Sequence, residues 1–474
     1  MGNRLMAALC WSIAFLSGSN AQQPAETLDW SAFRQQVLAN HPFARQANLQ
    51  RDLAAATLFR AKGGFDPRAY ADLSAKEFGN NNYYQYSEAG LKWPTWAGLE
   101  LKGAYTRASG DFLNPERRLP NAGQVVMGFE WALGQGLLFD ERRAALLQGK
   151  IGLEQGEAER SKLLNDLLFD AAKTYWTWAA AENQVDIYAA ALEQARIRLE
   201  GLRQSVLQGD KAAIDTTEAL IQVQTRLLDL NFAQLDRQQA RLALNAFLWR
   251  PDQQPVSADQ LSVASPLLDA AGMPQFNLNV LLEQARQSHP ELRLYLAKIR
   301  NLEVERRLKK EKLKPAFDLT YNLLGTGWTF FPTATTDDGL GVLANDIKWG
   351  FQFSYPLLNR KARGDLQLTT INLIQTDQAM LQKRLEVEVK MRQYAAELTN
   401  FERQLPLFRD FTINYKLLLD AEIEKFQQGE SSVFLINARE QRWLDARIKY
   451  LKLLSEFRKA EAGLRWAAGT LADF

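Results

Sequence analysis

Residues that support catalysis or metal binding are scarce in this sequence. It has one cysteine and two histidines in 474 residues, too few for a disulfide framework, a zinc site or a histidine-based catalytic triad. A net charge of +2 gives no basic excess for binding nucleic acid. Beyond the amino-terminal segment, no uncharged run approaches the ~18 to 20 apolar residues of a spanning helix. We therefore expect no enzyme activity, cofactor, metal or nucleic-acid partner, and any membrane crossing must use strands.

The first residues have the layout of a cleaved secretory signal. Arg4 is followed by an apolar run from Leu5 to Leu16 and then by small residues ending at Ala21. We predict a signal peptide over 1–21, which would remove the only cysteine, Cys10. A lipid anchor on Cys10 is the alternative, but Leu9 stands where a small side chain is expected.

The sequence contains an internal two-fold repeat. His41 and His289 each precede a proline and stand at the same distance from a second proline, Pro67 or Pro315. The tetrapeptides that begin at Gly128 and Gly350 also match, as do Leu207–Asp210 and Gln427–Glu430. We predict two structural repeats, 22–250 and 275–474, joined by a linker over 251–274 that is rich in Pro, Asp and Gln.

Each histidine is interpreted as a helix-turn residue before a proline, satisfied by backbone. The alternative is a metal or acid–base role, but no other histidine, cysteine or paired carboxylate motif accompanies either one.

Two segments in each repeat alternate strictly between apolar and polar residues, the pattern of a strand with unlike faces. The predicted strands are about 68–78, 124–133, 316–324 and 347–355. A soluble sheet packed on a core would show the same alternation. The aromatic residues at the segment ends and the signal favour membrane strands.

The connections between these strands differ in length. Residues 79–123 are interpreted as an enlarged, partly stranded external loop, with added strands in the sheet as the alternative. In the second repeat the loop from Thr326 to Asn345 contains Asp337 and Asp338, interpreted as a solvated turn rather than a cation site.

Long helices follow the strands. Apolar residues at coiled-coil spacing predict ascending helices over about 140–207 and 359–427, and returning helices over about 211–248 and 431–468. Each ascending helix is on the order of 100 Å long at 1.5 Å per residue. Gly209 and Gly429 supply the turns.

These elements constrain the assembly. Four strands per chain cannot close a barrel without leaving unpaired edges in lipid. Three chains would supply twelve strands around a water-filled lumen and twelve helices that continue it as a tube.

In combination, these features resemble the TolC family of trimeric outer-membrane efflux proteins over nearly the whole mature chain, Leu28 to Leu471. The stretches Pro94-Thr95-Trp96, Asn114-Pro115-Glu116 and Gly136–Ala144 look like a branch with an extended first loop. The resemblance implies a mixed α/β membrane protein: a trimeric 12-stranded β-barrel in the outer membrane, with four strands per chain, continued by an α-helical coiled-coil barrel in the periplasm. Its implied partners are outer-membrane lipid, a periplasmic adaptor protein and an inner-membrane pump, and substrates leave passively through the lumen.

The resemblance also places acidic residues at the periplasmic mouth. Asp215 matches the family position in the first repeat, with Glu218 one turn further on, whereas Leu435 stands at the equivalent position of the second repeat. Asp210 and Glu430 beside the turns add charge that would favour cations. The alternative is that all four are solvated carboxylates near helix starts. The tips that would dock the adaptor comprise Gln208, Gly209, Lys211, Gln428, Gly429 and Ser431.

Two other classes of protein stay open. A non-conducting structural or adhesin-like coiled coil would share the helices but would not need aromatic-faced strands. An envelope hydrolase would need a catalytic constellation, and the sequence offers no motif for one.

Overall fold

The computed structural model describes residues 26–258, 261–263, 276–328 and 346–472. The predicted signal peptide, Cys10, Asp337, Asp338 and most of the predicted linker lie outside the described residues.

The chain is mostly helical, with one large sheet. Its strands are β1 (Glu26–Leu28), β2 (Arg68–Phe78), β3 (Asn81–Pro94), β4 (Leu99–Ser109), β5 (Gln124–Ala132), β6 (Leu261–Val263), β7 (Ala316–Thr326) and β8 (Ile347–Ser354). Its helices are α1 (Trp30–Asn40), α2 (Pro42–Lys62), α3 (Glu141–Leu207), α4 (Ala213–Asn245), α5 (Leu278–Ser288), α6 (Pro290–Glu311), α7 (Arg360–Gln427) and α8 (Val433–Ala468).

Six strands form an antiparallel sheet in the order β2-β3-β4-β5-β7-β8. The expected count of four strands per chain is therefore wrong, and the alternative that residues 79–123 add strands is correct. Gly79 and Asn80 both have positive φ, 59° and 62°, which is the backbone of a two-residue hairpin turn. Through this turn β2 and β3 form a hairpin, so no loop separates them.

Four long helices form a layer below the sheet. The ascending helices α3 and α7 have 67 and 68 residues, and α4 and α8 return antiparallel to them. Because α3 packs against α4 and α8, and α7 packs against α8, the lateral order is α4-α3-α8-α7. The two outer helices of the layer are thus α4 and α7.

The largest cluster of buried apolar residues in the described part of the chain lies midway along the long helices. Trp178 and Phe33 are fully buried there, and the Tyr175 hydroxyl donates to the Leu28 carbonyl at 2.9 Å. The small parallel pair β1-β6 lies beside this core. The core holds α1 and α2 against α3.

Both histidines cap helices before a proline, as predicted. The Nδ1 of His41 accepts from the Phe43 amide at 3.1 Å, and the Nδ1 of His289 accepts from the Glu291 amide at 3.2 Å. His41 Nε2 also lies 3.2 Å from the Ala246 carbonyl. Desolvation by burial lowers the pKa of both rings, which favours the neutral form that can accept the capping hydrogen bond.

Candidate functional site

The two faces of the six-stranded sheet differ in polarity across its whole width. Each strand places apolar residues on one face, and the register aligns them in rows. One row comprises Trp93, Leu101, Phe129, Tyr321 and Trp349. This face is solvent-exposed in the single chain: Leu73 is 72% exposed, Leu91 57% and Trp349 67%. An apolar surface of this extent requires a partner or a lipid environment.

The opposite face is polar and carries a connected cluster. The Glu88 carboxylate accepts from the Tyr70 hydroxyl at 2.5 Å and the Tyr86 hydroxyl at 2.6 Å, and the ammonium of Lys102 lies 2.8 Å from it. The cluster joins β2, β3 and β4. Because the charges compensate one another, this face is suited to contact with water rather than lipid.

The junction of sheet and helices is held by Arg143 in the first turn of α3. Its guanidinium donates to the Trp96 carbonyl at 2.7 Å and the Leu137 carbonyl at 2.8 Å. Asp140 caps the same helix by accepting from the Arg143 amide at 2.9 Å. Two of the sequence stretches that carry the family resemblance, 94–96 and 136–144, therefore meet here.

The far ends of the helices form two similar tips. Gly209 and Gly429 have φ of +85° and +81°, and the residue after each donates its amide back into the helix, Asp210 to Ser205 at 3.0 Å and Glu430 to Lys425 at 2.9 Å. This is the hydrogen bonding of a glycine-terminated helix. Gln208 and Gln428 close the preceding turn in each tip.

The two tips touch each other. The Lys211 ammonium lies 4.7 Å from the centre of the Phe426 ring, a cation–π contact between the first tip and the end of α7. Behind it, Leu202, Ala219 and Val433 form a small core that draws on α3, α4 and α8. The tips therefore form one packed unit in the single chain.

The predicted mouth carboxylates occupy different settings. Asp210 and Glu430 are exposed at the tips, and Asp215 is half-buried in the first turn of α4. Glu218 faces α8, where its carboxylate lies 3.5 Å from the Asn437 amide nitrogen. Within one chain these four groups do not form a single acidic cluster.

A buried ionic network that we did not predict from the sequence lies behind the tips. Glu440 of α8 accepts from Arg198 of α3 at 3.0 and 3.2 Å, and Arg226 of α4 lies 3.8 Å away. Arg226 is fully buried, and Glu440 is 3% exposed. Arg198 also donates to the Asn437 side chain at 3.0 Å. Three helices are thus tied together by charge where alanine or leucine packing would be expected.

A sequence signal for this network exists. The buried residues of α4 repeat every seven positions as Ala219, Arg226, Ala233 and Ala240. One arginine in an otherwise alanine seam requires a buried carboxylate partner on a neighbouring helix.

Glu422 places a charged side chain near the end of α7. Its carboxylate accepts from the Ser431 hydroxyl at 2.6 Å and lies 3.5 Å from Arg439. These partners lower the pKa of Glu422. Ser431, a predicted tip residue, therefore links the end of α7 to the start of α8.

The outer helices of the layer expose apolar stripes. On α4 the stripe recurs every seven residues as Ile214, Ile221, Leu228, Leu235 and Leu242, each at least half exposed. On α7 the exposed residues include Leu381, Leu385, Phe411 and Leu417. An exposed apolar stripe at heptad spacing is the pattern of a coiled-coil surface.

Among the described helices, none combines the length and apolar character needed to cross a membrane. Within residues 26–258, 261–263, 276–328 and 346–472, no three His, Cys, Asp or Glu side chains cluster as metal ligands.

The subunit has two parts, each with open edges: a sheet with one exposed apolar face, and two helices about 100 Å long that pack against shorter antiparallel helices. Solved structures share this fold. The Campylobacter jejuni CmeC outer membrane channel matches with a TM-score of 0.64 at 13% identity, covering 99% of this chain and 94% of its own. The Vibrio cholerae outer membrane protein VceC matches with a TM-score of 0.63 at 13% identity, covering 93% of this chain and 95% of its own.

The open state of the Neisseria gonorrhoeae MtrE outer membrane channel also matches, with a TM-score of 0.65 at 14% identity, covering 92% of this chain and 88% of its own. No family model matches the sequence, and no curated protein matches it. The fold is therefore that of the outer-membrane channels, as the resemblance to the TolC family led us to expect.

Proposed function

We propose that this protein is the outer-membrane channel of a tripartite efflux or secretion system. It conducts substrates passively from periplasm to exterior when docked to an adaptor protein and an inner-membrane pump, and it catalyses no reaction. The observation that carries the proposal is the sheet: one exposed apolar face opposite a polar face with charged side chains. A wall between lipid and a water-filled lumen needs this division.

Self-association follows from the open edges. β2 and β8 each have one unpaired side in the sheet, and α4 and α7 end the helix layer with exposed apolar stripes. Pairing β2 of one copy with β8 of the next would satisfy the unpaired strand edges, and packing α4 against α7 of the next copy would cover the apolar stripes. The assembly is a homotrimer, the number that the family resemblance implies.

The helix tips form the periplasmic mouth. In a three-fold assembly Asp210, Asp215, Glu218 and Glu430 would each occur three times around the axis, so the mouth would favour cations. The surface offered to the adaptor comprises the exposed tip residues Gln208, Gly209, Gln428 and Gly429 and the half-buried Lys211 and Ser431.

Planar-bilayer recording of the purified protein tests the function. We expect discrete cation-selective channels, and neutralisation by Asp215→Asn with Glu218→Gln should change their conductance or ion preference. Glu200→Gln, on the exposed surface of α3, is the matched control and should behave as wild type. Unchanged conductance and ion preference in the double variant would show that these residues do not line the mouth.

The absence of channels would favour the second candidate, a non-conducting envelope-spanning structural or adhesin-like protein. That function is compatible with the same long helices. It gives no reason for a polar, charged face opposite the apolar one on a sheet.

A further inference from the structure

We infer that the hairpin β3-β4 is part of the membrane wall, so that each chain supplies six strands and the assembled barrel has eighteen. The inference rests on the proposed function and deepens it. It concerns the size of cargo that can pass, because lumen width grows with strand number.

The first argument is the register. β3 pairs with β2 from Arg68 opposite Lys92 to Phe78 opposite Asn81, and β4 pairs with β5 from Leu99 opposite Trp131 to Thr106 opposite Gln124. The hairpin therefore separates β2 from β5 along most of their length. Moving it out of the wall would break both ladders and leave two new edges in lipid.

The second argument is the position of the hairpin turn. Residues 95–98 connect β3 to β4 at the helical end of the sheet, where the Trp96 carbonyl accepts from Arg143 of α3 at 2.7 Å. Gly98 allows this close approach: its φ is +80°, and an added Cβ would meet the Arg143 guanidinium at 2.8 Å. The hairpin thus extends down to the helix junction, whereas an external loop would lie at the opposite end.

The third argument is the continuity of the two faces. Leu91 of β3 and Leu101 of β4 lie on the same face as Leu323 of β7, and they are 57% and 38% exposed. Their chain neighbours Lys92 and Lys102 point to the polar face, as Asn322 does. The inserted strands therefore place apolar and polar residues on the same two faces as the flanking strands do.

The expected change in width is large. With strands about 4.8 Å apart and tilted by about 40°, a twelve-stranded barrel has a backbone radius of about 12 Å and an eighteen-stranded one about 18 Å. After about 5 Å is subtracted for inward side chains, the open cross-section of the wider barrel is roughly three times larger. Such a barrel passes bulkier cargo than a twelve-stranded one would.

Cysteine accessibility tests the placement. In a Cys10→Ser background, single cysteines replace adjacent residues that face opposite sides: Leu91 and Lys92 in β3, Leu101 and Lys102 in β4, and Leu323 and Asn322 in β7 as controls. Each protein is reconstituted in phosphatidylcholine liposomes that contain brominated lipid. It is treated with a charged, water-soluble maleimide or labelled with a small fluorophore.

We expect L91C and L101C to behave like L323C, reacting at least about ten-fold more slowly than their neighbours because lipid suppresses the thiolate, and to be quenched by brominated lipid. K92C and K102C should react like N322C. Equal, rapid reaction at all four hairpin positions, with the β7 controls still distinct, would overturn the inference and leave the channel function intact. Loss of contrast at the β7 controls would instead contradict the proposed function.

A second measurement does not depend on any variant. Strand counting in an experimental map of the wild-type assembly should give eighteen. A count of twelve in a conducting trimer would refute the inference alone.

Discussion

Neutralising Glu440 should destabilise the helical half of the molecule more than any other single charge removal near the tips. The carboxylate is 3% exposed and bonds both guanidinium nitrogens of Arg198, with fully buried Arg226 at 3.8 Å. Glu440→Gln preserves the volume and one carbonyl oxygen but removes the charge that compensates two arginines. The test therefore isolates electrostatics from packing.

The magnitude can be bounded from the contacts. Removing one partner of a buried ion pair costs about 3–5 kcal/mol when the other charge is left uncompensated. Here Arg226 keeps a second partner, Asp229 at 3.1 Å, and the glutamine oxygen still accepts one hydrogen bond from Arg198. The expected loss is therefore about 2–3 kcal/mol, roughly 30- to 150-fold in the unfolding equilibrium constant.

Chemical unfolding of the purified assembly, followed by circular dichroism, measures this loss. If unfolding is irreversible, unfolding rates are compared at one denaturant concentration. Glu200→Gln is the control, since its pair with Arg203 is exposed and contributes under about 0.5 kcal/mol. A double-mutant cycle with Arg198→Gln should give a coupling of about 1.5–3 kcal/mol. A Glu440→Gln protein within about 0.5 kcal/mol of wild type would refute the reasoning.

Three further outcomes follow from the same structure. Because burial lowers the pKa of His289, the unfolded chain takes up a proton at this ring at a higher pH than the folded chain does. The stabilisation should therefore be full above about pH 6.5 and fall below it. Unfolding measured across pH should show a flatter profile for His289→Asn. Gly429→Ala should cost about 1–2 kcal/mol through its positive φ alone, since no atom crowds the new Cβ, and hydrogen exchange should locate the effect at the tip. Leu228→Asp, in the middle of the exposed α4 stripe, should reduce trimers in light scattering, whereas Asp236→Asn should not.

The fold was predictable where one periodicity dominated. Strict alternation located β2, β5, β7 and β8, and heptad spacing with a terminal glycine located the long helices. β3 was missed because tyrosine occurs on both of its faces, and glutamine and serine stand on the face that is otherwise apolar, so neither face was clearly apolar over its upper half. The Gly79-Asn80 pair was the local signal for its turn.

The site was predictable only for residues whose role is local. The two tip glycines end their helices and the two histidines cap theirs, so the residues next to them in the sequence are enough to predict these roles. They are Gly209, Gly429, His41 and His289. Glu440 acts on Arg198 and Arg226, more than 200 positions away in the chain. Nothing near Glu440 in the sequence distinguishes it from a solvated helix carboxylate; only the alanine seam around Arg226 shows that a partner is required.

The inserted strands also resolve a mismatch between the two halves of the proposed assembly. Three copies bring twelve long helices to one ring, and at about 9.5 Å between axes such a ring has a radius of about 18 Å. Twelve strands would give a barrel of only about 12 Å radius, so the wall would have to narrow sharply at the junction, whereas eighteen strands give about 18 Å. The residue that fixes the junction, Arg143, binds the carbonyl of Trp96 in the inserted hairpin itself. The insertion therefore matches the width of the proposed barrel to that of the proposed helical tube.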